Sequence, residues 1–171
     1  MSEHDDSVPA NATTHALKVT TERIAGGFIN ALYRVPARLV CPSDEVELAV
    51  VDAMARAAAV RGIPVEVVDL RPAPAERLDA ITAQLDEWRN RATDNDSRPT
   101  PTLLIRRGFD IFGDYTHDGP TYPLRSKFQF DQKFLWLFIG RYPSRMRFLF
   151  DSYQRPLYRA AGDITPEDWQ H

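Results

Sequence analysis

The stretch RLVCPSDEVELAVVDAMARAA, Arg38 to Ala58, reads as a buried strand, a tight turn and a long helix. Many α/β proteins hold a phosphate at such a turn, because backbone N–H groups and the helix dipole both face the anion there. A phosphate loop needs glycines that let the backbone curl, a lysine that reaches the terminal phosphates, and a Ser or Thr for magnesium. Between Val40 and Val50 this chain offers no glycine, no lysine and three acids, Asp44, Glu45 and Glu47. Those carboxylates already take the positive end of the dipole and would repel a triphosphate. A third apolar run, TLLIRRGFD, ends in Arg106 and Arg107 where an ATPase carries an acid that holds metal. Both nucleotide-binding (Walker) motifs are therefore missing, and neither a nucleotide nor another cofactor is expected.

Other candidates for chemistry stand beside plainer readings. Cys41, at a strand end before a helix, occupies a place where a thiolate can be stabilised, but its acidic neighbours would raise its pKa and no Cys-x5-Arg follows. Asp69 ends a second strand, where dinucleotide folds place an acid on a ribose; without the glycine-rich turn it reads as a turn cap. Asp110, Asp114, His117 and Asp118 lie within one short segment and could fold around a cation, or form an ordinary surface turn. His117 has no nucleophile partner and there is no Gly-x-Ser-x-Gly elbow. No catalytic residue and no metal ligand is assigned.

The charge pattern is more informative. Residues 1–120 carry 13 Lys and Arg against 19 Asp and Glu, whereas residues 121–160 carry 8 against 2. Arg125, Lys127, Arg141, Tyr142, Arg145, Arg147, Arg155 and Arg159 are the candidate contact residues of that basic third, interleaved with aromatics. Cations that meet phosphates and rings that stack bases suit single-stranded nucleic acid. Arg, Tyr and Trp equally dominate protein interfaces. The plain alternative makes the aromatics core and the arginines its solvated edge, with Phe128 and Phe130 of KFQFDQKF sharing one strand face.

The elements that must position these residues follow from hydrophobic period. Residues 1–15 have the polar, acidic composition of a disordered tail, leaving 16–171 as one domain. Ile24, Phe28, Ile29 and Leu32 recur at helical spacing, ARLVC is a strand, and Ser43 caps a helix that stops at Gly62. IPVEVVDL is a second strand, and Pro74 opens a helix with Leu78, Ile81, Leu85 and Trp88 on one stripe. TDNDSRPTP is a loop, TLLI and KFLWLFIG are further strands, and GDI is a short last strand. Alternating strands and helices predict a three-layer α/β fold around a mainly parallel central sheet of four or five strands. The single cysteine excludes an intramolecular disulfide and fits a reducing, cytoplasmic setting, and no apolar run approaches membrane-spanning length.

With that order of elements, Tyr122-Pro123-Leu124-Arg125, Leu137-Phe138-Ile139-Gly140 and Tyr158-Arg159-Ala160 resemble segments of the small, degenerate ATPase-like proteins of bacterial phage-defence operons, in particular the BrxB-like component of BREX systems. The likeness spans residues 20 to 165, with Gly140-Arg141-Tyr142 where that family prefers a Pro-Gly turn. It implies a P-loop-ATPase-like architecture without catalysis and a place among other proteins of an antiviral complex that acts on DNA. The expected function is thus a non-enzymatic assembly or adaptor subunit whose contacts lie in the basic third. The alternatives are a DNA- or RNA-binding module on the same surface, or a small-ligand enzyme at the sheet edge where Cys41, Asp69, Arg106 and Arg107 converge.

Overall fold

Near-continuous apolar runs make strands that are buried on both faces, which is the signature of a parallel sheet covered by helices. The computed structural model describes residues 25–91, 100–114, 121–130 and 133–164. In it, β4 (Phe134–Gly140) is buried at every position and lies at the centre of the sheet. Its neighbours are β3 (Thr102–Arg107) and β1 (Ala37–Val40), with β2 (Val65–Asp69) and β5 (Gly162–Ile164) at the edges. All four pairings are parallel, in a register that aligns Val67 with Ile105, Ile105 with Leu137, and Leu39 with both Ile139 and Ile164.

The strand order β2-β3-β4-β1-β5 divides the helices between the two faces. From β1 the chain runs to the far edge, and every later crossover runs back the other way. Right-handed connections therefore place the first crossover helix on one face and the rest on the opposite face. Alternate strand residues show the division. Leu39, Leu103, Ile105, Leu135, Leu137 and Ile139 pack against α1 (25–32) and α2 (Asp44–Val60). Leu104, Phe134, Trp136 and Phe138 pack against α3 (Pro74–Arg91), α4 (Tyr122–Phe130), α5 (Pro143–Asp151) and the 3-10 turn Phe109–Asp114. This second face is aromatic: the Phe109 ring lies 4.5 Å from Phe138, and Phe138 lies 5.5 Å from Phe150.

Local signals explain the boundaries. Ser43 Oγ accepts the Val46 N–H at 3.2 Å and caps α2, and Gly62 ends it at φ +66°. Pro74 opens α3, and Leu78, Ile81 and Leu85 form its buried stripe; the Trp88 side chain lies outside the described residues. Two expectations are corrected. KFQF is the end of helix α4, so Phe128 and Phe130 do not share a strand face; the strand begins only at Phe134. The alternation was accidental, and Pro123 with the buried Leu124 starts a helix there instead. The third strand also runs on through both Arg106 and Arg107. The 1–15 tail, residues 93–99 of the loop, His117 and Asp118 lie outside the described residues. Among the described residues no helix is long and apolar enough to cross a membrane.

Candidate functional site

In an open parallel sheet a ligand belongs outside the carboxyl ends of two neighbouring strands whose connections leave to opposite faces. Here those strands are β1, which leads to α2, and β4, which leads to α5. The Cys41 N–H bonds Gly140 O at 2.9 Å and keeps the two ends together. Around this crevice α2 supplies Asp44 and Glu47, β2 supplies Asp69 and, just beyond it, Arg71, β3 supplies Arg107, and Arg141 follows β4.

These six charges pair with one another, while the buried Arg141 Nε makes no hydrogen bond. Glu47 is 3% exposed and pairs with Arg107 through its guanidinium Nε, with Arg71 at 3.4 Å and with Arg141 at 3.7 Å. Asp44 pairs with Arg141 and with Arg71 at 3.5 Å, and Asp69 holds Arg71 at 2.7 Å and Arg107 at 4.0 Å. Three guanidinium groups of the kind that would clamp a phosphate are thus occupied by three carboxylates of the same chain. Arg71 also keeps the Asp69 carboxyl below the ordinary carboxylate range, and its own pKa is raised, chiefly by that same hydrogen bond. Asp69 Oδ1 accepts the Arg71 N–H at 3.0 Å, the turn cap expected of it.

Packing closes what charge does not. A Cβ on Gly140 would lie 2.7 Å from Met146 Sδ and 2.9 Å from Asp110 Cβ, so α5 and the 3-10 turn press directly on the strand end. Asp110 is buried and accepts the Tyr142 N–H at 3.1 Å, capping α5, whose own N-cap side chain gives none. The Cys41 thiol is buried, and burial first and Glu47 second push its pKa up to about 12, the state of an inert thiol. Of the four residues expected to converge at the sheet edge, Asp69 and Arg107 meet. Arg106 points to the opposite face, where it pairs with Glu66 at 2.9 Å and lies over the Trp136 ring.

The basic third is distributed as follows. Lys127 is buried and pairs with Asp86, Arg125 donates to Pro156 O at 2.5 Å, Arg141 belongs to the crevice, and Arg145 pairs with Asp114 at 2.9 Å. Three of its eight cations are therefore matched by acids from the N-terminal two thirds. In the reverse direction, the buried Arg38 pairs with Asp151 at 2.8 Å and with Asp163. Tyr142, Phe148 and Tyr153 are exposed, while Trp136, Phe138 and Phe150 are core. Arg145 lies 4.6 Å from the Tyr142 ring, Arg155 4.5 Å from Phe148, and Arg159 5.1 Å from Tyr158. Arg147 and Arg159 are exposed.

Two functional features were missed by sequence reasoning. The central role of Glu47 was signalled by its place on the stripe with Val50, Met54 and Ala58, at i, i+3, i+7 and i+11, where a carboxylate must find buried partners. Arg71 carried no signal for the cluster, since its partners Asp44 and Glu47 come from α2. No group of His, Cys, Asp and Glu among the described residues could hold a metal ion. No protein-family model matches the chain, and no curated protein matches it significantly.

Proposed function

We propose that the protein is a non-catalytic assembly or adaptor subunit that works through the outer surface of α5 and the segment following it. The observation that carries this reading is the neutral cluster of Asp44, Glu47 and Asp69 with Arg71, Arg107 and Arg141. It fills the place where this class of sheet would hold a ligand. A phosphate would have to displace a buried carboxylate from its arginines, and there is neither a lysine nor a glycine turn to receive it. The exposed Tyr142, Phe148 and Tyr153 beside arginines are the residue types that anchor protein interfaces. The resemblance to BrxB-like proteins favours a partner within a bacterial phage-defence complex, built on a degenerate ATPase architecture.

The test is recovery of the tagged protein from its native cells at low and moderate salt, with half of each sample treated with nuclease. A fixed set of proteins that survives nuclease supports the adaptor reading. Loss of every companion on treatment overturns it in favour of the nucleic-acid-binding reading.

A further inference from the structure

We propose that the end of α5 and residues 152–160 form a preformed receptor for an acidic protein segment, read by Arg147 and Arg159; this rests on the adaptor reading above. Residues 152–160 fold back on the helix. The Arg159 N–H bonds Phe150 O at 2.8 Å, the Arg155 guanidinium lies over the Phe148 ring, Arg125 holds Pro156 O, and Leu157 is fully buried. The backbones of Arg147 and Arg159 therefore both lie within about one helical turn of Phe150.

Arg159 is the described residue other than glycine with positive φ, at +55°. That conformation favours glycine or asparagine, and the bond to Phe150 O uses only the backbone. The Arg159 side chain is exposed and lies over the neighbouring Tyr158 ring. Backbone strain retained at an exposed charged residue points to a role for the charge. No ion pair among the described residues takes up Arg147 or Arg159. The Arg159 guanidinium lies 5.1 Å from the Tyr158 ring, and a planar guanidinium offers a fork of N–H donors to a carboxylate. Nucleic acid is the poorer occupant. Lys127, Arg141 and Arg145 are already paired with acids, and Tyr142, Phe148 and Tyr158 each carry a guanidinium of this chain beside the ring.

Fluorescence anisotropy decides the matter with a labelled peptide of repeated Glu-Asp-Leu, its amide counterpart of repeated Gln-Asn-Leu, and oligothymidine of similar length. The acidic peptide should bind in preference to both. Arg147→Glu and Arg159→Gly should each weaken it by about tenfold, the loss of one charge-assisted contact. Arg159→Gly should keep or raise Tm, which separates lost recognition from lost folding. Equal binding of the amide peptide, preference for oligothymidine, or unchanged binding by both variants overturns the proposal. The adaptor reading is judged separately: a nuclease-resistant complex that both variants still recover upholds that reading while removing this surface from it.

Discussion

Glu47 shows how one buried side chain can gather the charges of a crevice. It lies on the buried stripe of α2 and draws Arg71, Arg107 and Arg141 onto itself from three other parts of the chain. Replacing it by alanine should destabilise the protein by about 3 kcal/mol in urea unfolding, the low end for breaking a buried pair. The low end applies because the three guanidinium groups keep 18–37% exposure and regain some hydration. Glu47→Gln retains acceptor oxygen and should lose less. Cys41 should stay silent to a thiol reagent at pH 8 in the folded protein and react only on unfolding, since burial holds its pKa at about 12. Prompt modification under native conditions would contradict that burial. At Arg159, replacement by glycine relieves about 1–2 kcal/mol of left-handed strain against about 0.4–1 kcal/mol of added chain entropy. A small net gain in stability is expected, measured by the urea midpoint.

The elements succeed or fail at their ends. Gly108 follows β3 at φ +69°, and a Cβ there would collide with the Arg71 side chain. Gly108→Ala should cost about 1–3 kcal/mol from backbone strain alone and push Arg71 out of the cluster, read as a fall in urea midpoint. Asp69 couples the same region to pH. Its folded pKa lies below the unfolded value of about 3.9, so the unfolded chain binds the proton first. The stability Asp69 contributes is complete above that unfolded value and disappears as pH falls through the lower, folded value. Asp69→Asn should therefore flatten the acid limb of a stability curve measured down from pH 5, and an unchanged limb would contradict the pairing. Much of this level was legible in the sequence. β4 and β3 were visible as apolar runs, and α2 by Ser43 and Gly62, because cap and period are local properties. Helix α4 was misread because KFQF alternates by chance over too few residues to define a period, and only tertiary packing of Leu124 decides it. The ion cluster was not legible, because Arg141 and Asp44 stand 97 positions apart and no local pattern links them.

Across the described residues the uneven charge of the sequence is partly resolved inside the fold. Lys127 reaches Asp86, Arg141 reaches Asp44 and Arg145 reaches Asp114, while Arg38 of β1 holds Asp151 and Asp163. A basic third is thus bound to an acidic remainder, and net charge along the chain is a poor guide to the surface. Several of these pairs are exposed enough to contribute little each, and Arg147 and Arg159 remain exposed with no ion pair among the described residues. At the carboxyl ends of the parallel sheet the crevice between β1 and β4 is lined by the chain's own ion pairs. The most direct test that these pairs exclude a phosphate is a thermal-shift titration of the full chain with Mg-ATP, Mg-ADP and inorganic phosphate. Tm should not move, because a ligand that must displace Glu47 and Asp44 from their arginines has no binding free energy to add to the folded state. A saturable rise in Tm with any of the three, abolished by Arg107→Ala, would show that the crevice is open to a phosphate after all.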